Sequence, residues 1–155
     1  MSDELITQVK KARRASVPLI GISTPDQFAT CRLIAKSFNG KTIVLRWDCL
    51  RGLVQLAGEE VRITDDDNNA LSLSELTDPA TMLDFLRQLP EKVIVFALNA
   101  HKFWDSADVI QGIANLRDEF KQNFRHLIML APMINLPTEL TTDVVVFDEQ
   151  LPDQE

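Results

Sequence analysis

Ala35-Lys36-Ser37-Phe38-Asn39-Gly40-Lys41-Thr42 satisfies a relaxed phosphate-loop pattern, a small residue followed after four positions by Gly-Lys-Thr. Such a loop works by leaving a strand and opening a helix, so that backbone N–H groups and a helix N-terminus converge on anionic oxygens. Here the order is inverted. Pro25 to Phe38 carries helical spacing, whereas Thr42-Ile43-Val44-Leu45-Arg46-Trp47 reads as a strand. Lys41 would therefore enter a sheet from a helix C-terminus, where outward carbonyl groups repel phosphate. The expectation is a Gly40 helix stop. A nucleotide-dependent enzyme using Gly40, Lys41 and Thr42 would instead need a strand before Ala35 and a helix after Thr42.

Other chemistry-bearing residues are placed by the ends of apolar segments. Ser23-Thr24-Pro25-Asp26 follows the first apolar run, where a working phosphate loop would lie, but holds neither glycine nor lysine. Proline there removes an N–H that phosphate would need. Thr24 is read as a helix cap, with a small anion at the helix N-terminus as the alternative. After the central apolar run comes Asn99, neutral where a magnesium-binding ATPase would place a carboxylate. His101 as a general base needs an orienting acid, which Asp105 or Asp148 supplies only if the fold brings it near. A structural hydrogen bond is the competing account, and His126 is read as structural.

Phe103 and Trp104 read either as a partner-binding surface anchor or as core beneath the following helix. Asp65, Asp67 and Asn69 resemble a calcium loop, but Ala70 and Leu76 stand where glycine and glutamate are required, so the segment reads as an exposed turn. Neither cysteine has metal-ligand spacing, no serine lies in a nucleophile elbow, and no metal site is expected.

The chain has 155 residues, 45% hydrophobic and 25% charged, the make-up of one globular domain over residues 1–155. Sixteen Lys and Arg against 23 Asp and Glu give a net charge of −7, which works against nucleic acid as a partner. The one basic cluster, Lys10, Lys11, Arg13 and Arg14, ends the first helical segment and suits the negative end of its dipole. Cys31 and Cys49 read as reduced thiols. Without a signal-peptide pattern or a membrane-length apolar run, a cytoplasmic, membrane-free protein is expected.

Ser2 or Asp3 begins a helix with Leu5, Ile6, Val9 and Ala12 on one face. A strand over 17–22, a helix capped at Thr24 with Phe28, Cys31, Ile34, Ala35 and Phe38 inward, and a strand over 42–47 follow. The stretch through Leu53, Val54 and Leu56 is less regular, and residues 59–69 read as an exposed hairpin. Asp78-Pro79 opens a helix that Pro90 ends. Val93–Leu98, apolar without alternation, belongs mid-sheet. Asp105 or Ser106 starts a long helix, and 127–131 and 144–147 supply the last strands. The fold class is α/β, a three-layer sandwich with a mostly parallel sheet of about five strands. Ligands in such sheets bind beyond the carboxyl ends of the strands, which makes Ser23, Thr24, Asn99, His101, Asn135 and Asp148 the positions to follow.

Taken in order, residues 12–24 (Ala-Arg-Arg-Ala-Ser-Val-Pro-Leu-Ile-Gly-Ile-Ser-Thr), Trp47 with Arg51-Gly52-Leu53, Asn99-Ala100-His101, Leu116-Arg117-Asp118, Ala131-Pro132 and Leu136-Pro137-Thr138-Glu139-Leu140 resemble one family. The chain is similar to the N-terminal domain of the AAA ATPases named for hypothetical chloroplast reading frame forty-six. The resemblance implies a degenerate RecA-like domain whose ATP- and Mg-using module follows separately, with the connection beginning near Leu151-Pro152. The family's acids after the first and central strands are replaced here by Ser23 and Asn99.

The expectation is a non-catalytic interaction, assembly or regulatory domain that needs no cofactor itself. Its partner would be a protein, its own ATPase module or a second copy. The alternatives are the Gly40-Lys41-Thr42 enzyme and a small-molecule domain using Thr24, Asn99 and His101.

Overall fold

Acidic Asp3 and Glu4 in the first turn and basic Lys11, Arg13 and Arg14 in the last complement the dipole of α1, Ser2–Arg14. The structure, a computed structural model, describes residues 2–64 and 67–149; Asp65 and Asp66 of the expected turn, and Leu151-Pro152, lie outside that set. β1, Leu19–Ser23, leads through a short loop into α2, Gln27–Lys36. Asp26, not Thr24, caps α2, its carboxylate accepting from the Ala29 N–H at 3.1 Å. Gly40 lies beyond the helix with φ 78°, a left-handed conformation that glycine adopts at little cost.

β2, Val44–Asp48, turns into β3, Gly52–Ala57, so the stretch expected to be irregular is an antiparallel edge strand. Gly52 makes this hairpin feasible. Its φ is 67°, and an added Cβ would sit 2.6 Å from the Leu73 carbonyl oxygen. The small hairpin of β4, Ile63–Thr64, and β5, Ala70–Leu71, stands apart as its own two-stranded sheet. α3, Pro79–Phe85, is capped by Asp78, whose carboxylate accepts from Thr81 N–H at 2.9 Å.

β6, Ile94–Ala97, α4, Ala107–Asn123, β7, His126–Ala131, and β8, Val145–Asp148, complete the chain. Every residue of β6 and β7 is buried, as a strand covered on both faces requires. The six strands run β3-β2-β6-β7-β1-β8, parallel except for β3. Five parallel strands therefore match the expected number, and β3 is the sixth.

Strand residues alternate between two cores. Ile20, Ile22, Val44, Ile94, Phe96, Ile128 and Leu130 meet α1 and α2 on one face. Leu19, Leu45, Trp47, Val95, Leu127 and Met129 meet α3 and α4 on the other. This is a three-layer α/β sandwich. Among the described residues no helix is long and apolar enough to cross a membrane.

Candidate functional site at the carboxyl ends of the strands

The parallel strands β1, β6 and β7 end on one side of the sheet, and there the chain gathers its polar loops. Thr24 leaves β1 with its N–H donating to the Ala131 carbonyl at 2.9 Å, which holds it against the end of β7. Its hydroxyl donates to Glu149 Oε2 at 2.6 Å and accepts from the Asp26 N–H at 3.2 Å. Thr30, one turn into α2, also directs its hydroxyl to Glu149 Oε2. Both threonines are 1% exposed. A carboxylate thus sits beside the start of α2, where a phosphate loop would seat its anion, and its donors are two buried hydroxyls in place of a ring of amides.

Glu149 reaches this place because its N–H donates to the Ser23 carbonyl at 2.8 Å, which extends the pairing of β8 with β1. Ser23 is likewise committed, its hydroxyl accepting from the Ile134 N–H at 2.9 Å. Asn99, left-handed at φ 55°, closes the β6 end: its N–H donates to Gln27 Oε1 at 2.8 Å and its side-chain oxygen accepts from Gln27 Nε2 at 2.9 Å. Asn99 therefore ties β6 to α2. No hydrogen bond among the described residues joins Thr24, Asn99 and His101 to one another, and Thr24 and Asn99 are engaged by different partners.

His101 instead shares a concavity of about 500 Å³ with Trp104, Asp105, Met133, Asn135 and Pro137. Its Nδ1 and the indole Nε1 of Trp104 are buried without a partner. No carboxylate among the described residues is hydrogen-bonded to His101, which withholds the orienting acid that base catalysis needs. Asp148, the other acid considered, is exposed at the end of the β8 edge strand. The apolar walls of this hollow suit an uncharged ligand rather than a dianion.

Phe103 and Trp104 belong to the core. Trp104 is 8% exposed within the α3/α4 core, and Phe103 packs edge-on against Trp47 at 5.4 Å between ring centroids. Surface anchoring by Trp104 is thereby corrected to burial, the competing account; large apolar side chains that are exposed at this end include Leu50, 86% exposed, and Met133, 66% exposed. His126 is structural, its Nδ1 2.8 Å from the Val17 carbonyl. Burial pushes the Cys31 thiol up to about 12, which leaves it a poor nucleophile at neutral pH.

The Gly40-Lys41-Thr42 segment lies at the opposite, amino end of the strands, between α2 and β2. Lys41 is exposed and its N–H donates to the Asn39 side chain at 3.1 Å. The strand-then-helix order that the rival enzyme requires is absent. Among the described residues no cluster of three or more His, Cys, Asp or Glu could hold a metal ion.

Thr30, Gln27 and Glu149 were not foreseen. Gln27 stood at the third position of a helix start, which concealed its second use, and Glu149 lies 125 positions from Thr24. A polar threonine amid the inward stripe of α2 was the available signal.

A family model described as SpoVK-like AAA ATPase, N-terminal domain, matches residues 5–149. The chain belongs to that family. The SpoVK-like N-terminal domain is also similar to solved structures at the level of fold. One, titled as the structure of Drosophila ORC bound to DNA, superposes with a TM-score of 0.52 at 12% identity, covering 97% of this chain and 91% of that one. A second, of Drosophila ORC bound to AT-rich DNA and Cdc6, gives 0.52 at 13% identity, covering 95% of this chain and 53% of that one. No curated protein matches the chain. The AAA affiliation and the mostly parallel sheet agree with the RecA-like architecture that the sequence resemblance implies.

Proposed function

We propose that this SpoVK-like N-terminal domain is a non-hydrolytic interaction, assembly or regulatory domain of an AAA ATPase, and that ATP and Mg are turned over in a separate module. The observation that carries the reading is Glu149, whose carboxylate lies on Thr24 and Thr30 beside the head of α2. A triphosphate seated there would meet a negative charge instead of a lysine. The finer kinship, with the ATPases named for hypothetical chloroplast reading frame forty-six, rests on the ordered segments from Ala12 to Leu140 and belongs to this proposal, as does a cytoplasmic setting. The ORC structures carry DNA, but a net charge of −7 argues against the same use here. The test is phosphate release from Mg-ATP by the chain. None is expected above buffer, and release that Lys41→Ala abolishes would overturn the reading.

A second reading is favoured by one observation, the unpaired His101 Nδ1 and Trp104 Nε1 beside the hollow at Met133 and Asn135. There the domain would hold a small neutral ligand through a carbonyl or hydroxyl. Thermal shift against uncharged metabolites, with Asn135→Leu as the control, separates the two: a shift lost in the variant supports ligand binding, and no shift with any compound removes it.

A further inference from the structure

At the amino ends of the strands, remote from the crevice just described, the ends of α1, α2 and α4 surround a concavity of about 500 Å³ lined by Lys10, Arg13, Arg14, Phe38, Lys92 and Phe124. Four cations gather there in a chain of net charge −7, and no carboxylate among the described residues pairs with any of them. Lys10 donates to the Ser37 carbonyl at 2.8 Å and Arg13 Nη2 to the Lys92 carbonyl at 2.7 Å, while Arg13 Nε is buried without a partner. Both cations also stack over Phe38, at 5.3 and 5.1 Å from its centroid. These contacts fix two of the charges in place. Among the described residues the head groups of Arg14 and Lys92 have no acceptor at all.

The backbone here adopts conformations that side chains other than glycine rarely take. Of the five non-glycine residues with left-handed φ among the described residues, two line this hollow: Lys92 at 67° and Phe124 at 53°. Phe124 ends α4, where glycine is the usual solution, and the residue is 46% exposed. A bulky aromatic held left-handed and half exposed costs stability twice, through its backbone and its wetted ring. Strain of that kind collects where a surface is shaped for a ligand.

We infer that this hollow binds a small organic phosphate carried beside a planar ring, the chemistry of a free nucleotide. The hollow faces the C-terminal ends of α1, α2 and α4, but four full positive charges outweigh the roughly half negative charge at each of those ends, and an exposed phenylalanine offers a face for a base to stack on. The volume falls within the roughly 300–1,000 Å³ of small-ligand sites. A long nucleic acid strand would leave this patch and meet the acidic remainder of the surface, which favours the free ligand. The groups that line it are cationic and aromatic side chains, which bind and recognise, so bound nucleotide would act there as a signal.

The experiment is a magnesium-free titration of the 155-residue chain with AMP, ATP, inorganic phosphate and a short oligo(dT), followed by backbone amide shifts at low salt. AMP and ATP are expected to saturate with shifts centred on Arg14, Lys92 and Phe124, and inorganic phosphate to bind more weakly. Lys92→Glu should weaken AMP roughly tenfold. Phe124→Gly should weaken it by a similar factor while the thermal midpoint holds or rises, an outcome that a purely structural phenylalanine would not produce. Lys41→Ala should leave binding unchanged, which keeps this result separate from any phosphate release at the Gly40 loop. The inference is overturned if no nucleotide saturates, if Lys92→Glu and Phe124→Gly bind AMP as the parent does, or if oligo(dT) binds in preference to AMP.

Discussion

His126 shows how a side chain of ordinary type becomes a stability switch. Burial, opposed by its bond to the Val17 carbonyl and assisted by nearby Arg13, lowers its pKa to about 4 from 6.5. The folded state therefore binds fewer protons than the unfolded chain between those values. Its contribution is whole above pH 6.5 and is lost as the pH falls through that window toward 4, a difference of roughly 3 kcal/mol. Urea denaturation at pH 7 and pH 4.5 should show the loss, and His126→Gln should flatten it; an unchanged slope in the variant contradicts the assignment. Trp104 makes the complementary point. Because it is buried in the α3/α4 core, Trp104→Ala should cost about 3–5 kcal/mol of stability, measured by denaturant midpoint, rather than act on association. The sequence allowed both readings, since Phe103 and Trp104 sit in a short turn without periodicity to assign them a face.

Elements are joined here by side chains that no local pattern announces. Glu149 fastens the exit of β8 to the head of α2 through Thr24 and Thr30. Removing that carboxylate by Glu149→Ala should cost about 1–2 kcal/mol, and amide exchange should quicken at residues 146–149 before it quickens in β7. Equal protection in variant and parent would show that backbone pairing alone holds the strand. At the far edge, Gly52 admits the β2–β3 hairpin because its φ of 67° and the Leu73 carbonyl leave no room for a Cβ. Gly52→Ala should lower stability by more than about 1 kcal/mol, whereas Ala at exposed Lys41 should fall within about 0.5 kcal/mol of the parent. β3 escaped sequence reading because a glycine opens it and its half-buried residues do not alternate cleanly. β6 and β7 were legible for the opposite reason, being apolar on both faces.

For the whole molecule, one sheet separates two cores and contributes alternate residues to each. Neither core can come apart without exposing the strands that serve the other. Unfolding should thus be a single transition, with far-UV circular dichroism and the fluorescence of Trp47 and Trp104, both in the α3/α4 core, giving coincident curves; separated midpoints would refute the coupling. The sequence by itself determined the three-layer architecture, the buried central strands and the misplacement of Gly40-Lys41-Thr42, because periodicity, caps and strand–helix order are local properties of the chain. Tertiary structure alone decided that Glu149 meets Thr24 and Thr30, that Asn99 and His101 face different neighbours, and that Lys92 and Phe124 frame one basic hollow with α1. Those are meetings between residues far apart in sequence, and their geometry depends on strand order and on how the helix ends converge.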